Sequence, residues 1–283
     1  MLHGLVTFLT DYSVAPPELA RAAEDEGFES LFVTEHTHIP AVRETPWPGG
    51  ADLPREYSHT FDPFVALAGA AAVTTTLKLG TGVCLVAQHD PIVLAKQVAS
   101  LDHLCGGRFL LGVGAGWNRE EMRNHGVDPT VRFRMMREHV EAMREIWSQD
   151  EASYAGKHVT FERIWSWPKP VQRPGPPVLI GGSGPKVIDR VLAYGDGWAP
   201  ISRQTGNLQD IADRIVELRQ RAAAAGRDHI PVTVYGGSTK PDTLDRLAAM
   251  GVDRLLHVLP TLPRDEALQR VAVTARLLHA AAD

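Results

Sequence analysis

Cysteine is nearly absent. Cys84 and Cys105 are the only two in the chain, too few for a disulfide framework or a cysteine zinc site, and they fall in stretches that read as a strand and a helix end, so both are taken as reduced. Long apolar runs are also missing: nothing approaches the roughly 20 residues that a membrane span needs. The short apolar stretch from Leu5 to Leu9 has no Lys or Arg before it, so a secretory signal is not expected and the cytoplasm is the default location. Nor is there a basic run. The 29 Lys and Arg are interspersed with 34 Asp and Glu, for a net charge of −5. Without clustered cations to displace counterions from a polyanion, nucleic acid is not an expected partner.

What the chain does have is 44% hydrophobic residues and regular alternation, with material for a large core. Strand-like runs at Leu2–Leu9, Ser30–His36, Leu77–Leu85, Phe109–Gly114, Val178–Gly181, Gly197–Ser202, Val232–Tyr235 and Arg254–Leu259 are each followed by a helical pattern. Pro16-Pro17 marks the start of the first helix, Gly27 its end, and Gly106-Gly107 the end of the third. Eight βα units with right-handed crossovers close most economically into an α/β (β/α)₈ TIM barrel, an architecture that needs about 250 residues. The whole of 1–283 is therefore read as one barrel domain with insertions at the C-terminal ends of the strands, at about 40–62 and 152–177. The second insertion, rich in aromatics and proline, reads as a hairpin or excursion. A doubly wound open sheet is the alternative.

Function in such a barrel sits at the carboxyl ends of the strands. Two of those ends are glycine-rich: Gly112-Val113-Gly114-Ala115-Gly116-Trp117-Asn118 after the fourth barrel strand, and Gly181-Gly182-Ser183-Gly184 after the fifth. Glycine lets backbone approach a phosphate, and free amides before a helix supply donors. Each loop alone could be just a tight turn. Two on consecutive strands, with the Ser183 hydroxyl, point to an anion seat. The GxGxG spacing is not a dinucleotide-binding fingerprint.

The second strand ends Thr34-Glu35-His36-Thr37-His38. An H-x-H there could hold a metal, yet the other strands end in Gly114, Gly181, Ser202 and Leu259-Pro260, so the ligand set is missing and no metal is expected. A histidine at a barrel mouth can instead bond a cofactor or exchange a proton with substrate. His36, with neighbouring Glu35, is the catalytic candidate; His38 and His59 stand evenly between pocket and surface.

These motifs, with Leu79-Gly80-Thr81-Gly82-Val83, His89-Asp90-Pro91 and Gly107-Arg108-Phe109, resemble the luciferase-like monooxygenase superfamily, and especially its branch using the deazaflavin coenzyme F420. The resemblance implies a non-prolyl cis peptide at Gly82-Val83 as a backstop for a tricyclic ring. It makes His36 a ring contact, and assigns Thr81, Gly82, Val83, Gly114, Ala115, Gly116, Trp117, Gly181, Gly182, Ser183 and Gly184 to the cofactor. It also implies a homodimer acting on a small-molecule substrate. One departure stands out. Where the sugar-phosphate dehydrogenase branch has a glutamate after the last glycine of the strand-four loop, this chain has Trp117, and the nearest carboxylates are Glu120 and Glu121. That substrate is therefore doubtful.

The expected chemistry is hydride transfer between coenzyme F420 and a small organic substrate. The alternatives are an FMN-dependent monooxygenase using O₂ and a barrel that only binds a phosphate-bearing ligand. Trp47, Tyr57, Trp165 and Trp167 hint weakly at an apolar or aromatic substrate.

Overall fold

The computed structural model describes residues 1–50, 52–202 and 208–282. Eight parallel strands alternate with helices: β1 (Leu2–Thr7), α1 (Pro16–Asp25), β2 (Ser30–Val33), α2 (Pro63–Ala71), β3 (Lys78–Thr81), α3 (Pro91–Leu104), β4 (Phe109–Val113), α4 (Arg119–Asn124) and α5 (Arg132–Ser148). An antiparallel hairpin, β5 (Ala152–Ala155) and β6 (Thr160–Ile164), interrupts the alternation. It resumes with β7 (Val178–Gly181), α6 (Val187–Tyr194), β8 (Gly197–Ala199), α7 (Leu208–Ala224), β9 (Thr233–Tyr235), α8 (Pro241–Ala249), β10 (Arg254–Val258) and α9 (Arg264–Ala282).

The strand order is β8-β7-β4-β3-β2-β1-β10-β9, and parallel bridges from Trp198 to Val232 and from Ile201 to Tyr235 bring the two ends together. The (β/α)₈ barrel expected from the alternation is the observed fold. Its interior is filled by side chains from separate strands, Val6, Phe32, Leu110, Leu179, Ala199, Tyr235 and Leu256, as a barrel too narrow for a pore requires. Strand β3 offers Gly80 at this level, because a Cβ there would stand 2.4 Å from the Phe32 ring. The larger apolar cluster lies between strands and helices.

Helix starts follow capping chemistry. Asp62 accepts from Val65 N at 2.9 Å, and Asp90 accepts from Ile92 N and Val93 N at 2.9 Å, each just before a proline at the first helical position. Among the described residues no helix is long and apolar enough to cross a membrane, and both cysteines are buried and free.

Seven of the eight barrel strands are shorter than expected, Val178–Gly181 alone matching its run. β2 stops at Val33 and β3 at Thr81, because the chain leaves the ladder there to enter the mouth of the barrel. The helix after β7 begins at Val187, after Gly184 to Lys186 form a turn closed by Val187 N donating to Gly184 O at 3.0 Å.

On neighbouring strands β1 and β10, His3 Nδ1 and His257 Nε2 lie 3.0 Å apart. Burial, then the neighbouring His3, pulls the His257 pKa down to about 4. The unfolded chain, with histidine near 6.5, therefore binds more protons between those values, so stability is complete above about pH 6.5 and falls as the pH drops towards 4. The expected loss is up to about 3 kcal/mol. Chemical denaturation at several pH values should show it, with a flatter profile in His257→Leu.

Candidate active site

His36 leaves the end of β2 pointing into the mouth of the barrel, 8% exposed. Its Nδ1 lies 2.9 and 3.0 Å from the two carboxylate oxygens of the fully buried Glu121. An imidazole that donates Nδ1–H to a carboxylate presents Nε2 as the acceptor of its neutral form. Glu121 comes from α4, a helix that Asn118 caps by accepting from Glu121 N at 3.2 Å. The same short helix makes two further bonds to this segment: Asn124 Nδ2 to His38 Nε2 at 2.9 Å, and His125, just past its end, to Thr37 Oγ1 at 2.7 Å. Residues three and four apart share a helix face, so one turn of α4 holds His36, Thr37 and His38 together.

Glu35 has different partners, as alternation along an extended chain dictates. Its carboxylate receives the Leu85 amide and lies 2.8 Å from His89 Nε2. Burial alone would lower the His89 pKa, but the bond and charge of Glu35 outweigh it and raise the pKa. Cys84 joins this group, with the three donor atoms within 4.8 Å of one another. Burial, then the charge of Glu35, pushes its thiol well up, and the Glu35 bonds to the Leu85 amide and His89 brace the loop after β3.

That loop carries a cis peptide between Gly82 and Val83, as the resemblance implies. Around it the glycines have defined work. A Cβ on Gly114 would stand 2.5 Å from Val83 Cγ2, and one on Gly181 would stand 2.9 Å from Val83 Cγ1. The two glycines thus give the Val83 side chain room between adjacent strands. A Cβ on Gly112 would be 2.1 Å from the Thr81 carbonyl oxygen, which backbone cannot evade. The Thr81 hydroxyl, fully buried, donates to Gly112 O at 2.7 Å, so it ties the end of β3 to β4. Beneath lies Tyr235, whose buried hydroxyl has no partner among the described residues.

The two glycine loops are neighbours, since β4 and β7 pair through Leu111–Val178, Gly112–Leu179 and Val113–Ile180. Not every glycine in them serves an anion. The Gly114 amide donates to Cys84 O at 2.9 Å and the Gly182 amide to Ala199 O at 3.2 Å. What is open lies further along: added Cβ atoms on Gly182 (φ +104°) or Gly184 would meet nothing within 4 Å, and between them the Ser183 hydroxyl is buried without a partner among the described residues. Trp198 Nε1 donates to Gly182 O at 2.9 Å and sets this turn.

Cations gather nearby in sequence. Arg119 opens the helix after the first loop, Arg190 lies in the helix after the second, and Arg132 opens α5. Burial, then the charges of Arg119 and Arg190, lowers the Arg132 pKa, and its Nε is buried without a partner among the described residues. An anion near Arg132 would relieve that crowding, and at the glycine turn a phosphate oxygen would satisfy the orphaned serine hydroxyl. The donor set suits a phosphate group.

The sequence profile of the luciferase-like monooxygenases matches residues 15–267. The chain belongs to that family. An uncharacterized protein of Mycobacterium tuberculosis is 44% identical over 272 residues, 94% of this chain and 95% of its own. The F420-dependent hydroxymycolic acid dehydrogenase of the same organism is 29% identical over 224 residues, 78% of this chain and 56% of the relative. The FMNH(2)-dependent dimethylsulfone monooxygenase of Pseudomonas putida is 32% identical over 159 residues, 55% of this chain and 42% of the relative. Among solved structures, an F420-dependent secondary alcohol dehydrogenase superposes with a TM-score of 0.75 at 18% identity over 100% of both chains, a likeness of fold.

Within this luciferase-like barrel, the partner of His36 was the residue that sequence reading missed. The signal was present: Asn118-Arg119-Glu120-Glu121 has the spacing of a helix cap followed by an acidic first turn. Trp117, expected at the cofactor, has its ring 5.9 Å from that of His36. His59 bonds Asp11 at 2.9 Å, and His38 is occupied by Thr37 and Asn124. Trp165 and Trp167 are exposed, at 79% and 56%.

Proposed function

We infer that this oxidoreductase depends on coenzyme F420 and exchanges a hydride with a small organic substrate, with His36 handling the accompanying proton. The observation that carries the reading is the pairing, at one end of one barrel, of an imidazole braced by a buried carboxylate with a glycine turn whose buried Ser183 hydroxyl lacks a partner among the described residues. When bound, the deazaflavin supplies hydride exchange with little reactivity towards oxygen. Ser183, the amides of Ser183 and Gly184, and the loop at Ala115 and Gly116 would hold its phosphate, with Arg119, Arg132 and Arg190 providing charge. Gly82 and Val83 would back its ring. His36 takes a proton from, or gives one to, the substrate oxygen at Nε2, while Glu121 on Nδ1 holds the ring in that orientation and stabilises its charged form. Glu35 positions the β3 loop through Leu85 and His89.

The Thr34–His38 run resembles the deazaflavin branch, and the F420-dependent relative aligns over more of the chain than the FMN-dependent one. The 32% identity to the latter supports the second reading, an FMN-dependent monooxygenase. Absorbance titration with each cofactor separates them. Saturable binding of coenzyme F420 is expected; tight FMN binding with no response to F420 would reverse the assignment, and silence towards both would leave a barrel without redox chemistry. Ser183→Asp sets a carboxylate against the phosphate, and its affinity for the bound cofactor should drop about 10–100-fold in the same titration.

A further inference from the structure

Four aromatic rings from three separate stretches of chain cluster beside His36, two of them, Tyr57 and Trp117, against its ring. The Tyr57 ring lies 5.2 Å from His36, 6.3 Å from Trp117 and 4.6 Å from Phe8. Trp117 meets His36 edge-on at 5.9 Å, and Trp47 meets Tyr57 edge-on at 5.7 Å. Phe8 follows β1, Trp47 and Tyr57 come from the proline-rich excursion after β2, and Trp117 follows β4. The charged groups around these rings make contacts within the chain. The guanidinium of Arg43 lies over the Trp117 ring at 5.7 Å and donates to Thr45 O at 3.1 Å. That of Arg55 lies over Tyr12 at 4.5 Å, and Asp11 bonds His59. A hydrogen bond from Thr45 lowers the Glu120 pKa, and Glu121 is bound to His36.

Resting on the oxidoreductase reading above, we propose that Phe8, Trp47, Tyr57 and Trp117 form an aromatic cage that selects an uncharged, ring-bearing alcohol or its ketone, with the reacting oxygen at His36. Rings offer flat apolar area and a negative face with little entropy lost on ordering, so a flat or alicyclic substrate gains stacking contact here. A phosphorylated or polyhydroxy substrate would have to desolvate most of its polar groups against ring faces, which return little for them. In the oxidative direction the substrate carbon gives up a hydride to the cofactor and the hydroxyl proton passes to His36 Nε2, leaving a ketone; reduction is the reverse.

The test uses calorimetric titration of the protein, with and without saturating coenzyme F420, against 1-indanol, 2-butanol and glucose 6-phosphate. The ring alcohol should bind at least about tenfold tighter than 2-butanol, and glucose 6-phosphate should give no heat. Trp47→Ala and Tyr57→Leu should each weaken 1-indanol about tenfold with cofactor affinity unchanged, while Tyr57→Phe, which keeps the ring, should bind as the parent does. The cage is overturned if glucose 6-phosphate binds as well as 1-indanol, if the truncations leave 1-indanol unaffected, or if they weaken the cofactor instead. Indanol binding without any cofactor binding would sink the redox reading and leave the cage standing.

Discussion

Replacing His36 by asparagine should slow hydride exchange by about 10²–10⁴-fold, the usual worth of a positioned acid–base group, while cofactor affinity moves far less. Asparagine keeps a polar side chain of similar reach but cannot carry the proton. Single-turnover absorbance of the bound cofactor separates the two quantities, since the amplitude reports binding and the rate reports chemistry. Glu121→Gln should fall between the parent and His36→Asn, because the amide can still bond Nδ1 yet no longer offsets the imidazolium charge. The loss should appear in kcat with KM nearly unchanged, and Glu121→Asp should recover part of it. Equal loss of KM and kcat in Glu121→Gln, with normal chemistry in His36→Asn, would remove the pair from the reaction.

Trp198→Ala is the substitution expected to cost most in stability, about 3–5 kcal/mol, the range for emptying a buried indole site. Trp198 is fully buried in β8, bridges to Val232 where the barrel closes, and donates its indole N–H to Gly182 O. Truncation therefore leaves a cavity at the seam and an unpaired carbonyl in the turn that carries Ser183. Denaturant unfolding should show the full loss, and the surviving folded protein should bind its cofactor more weakly. Trp198→Phe should recover most of the stability but not the Gly182 bond, so cofactor affinity should remain below that of the parent. A Trp198→Ala protein within about 1 kcal/mol of the parent would mean that β8 closes the barrel without that contact.

The mouth of the barrel was legible in unequal parts. That His36 and the Ser183 turn stand at strand ends could be read, because strand ends are local and glycine before a helix has a local meaning. The roles of Gly114 and Gly181 could not, because their reason is the side chain of Val83, a residue on a third strand. Thr81 was assigned to the cofactor from its place in a motif, yet its hydroxyl is used on Gly112 of the adjacent strand. Among the aromatics, Tyr57 comes to His36 and Trp47 to Tyr57, while Trp165 and Trp167 stay exposed on the later excursion.

Alternating hydrophobic periods, proline and glycine punctuation and aspartate caps determined the order of strands and helices, for which a barrel is the most economical closure, because each depends on residues a few positions apart. Which carboxylate braces His36, which rings surround it and which glycines stay open were decided only by closure. Bringing residue 36 against 121, and 57 against 117, depends on the radius and stagger of the finished barrel, a property of all eight strands at once.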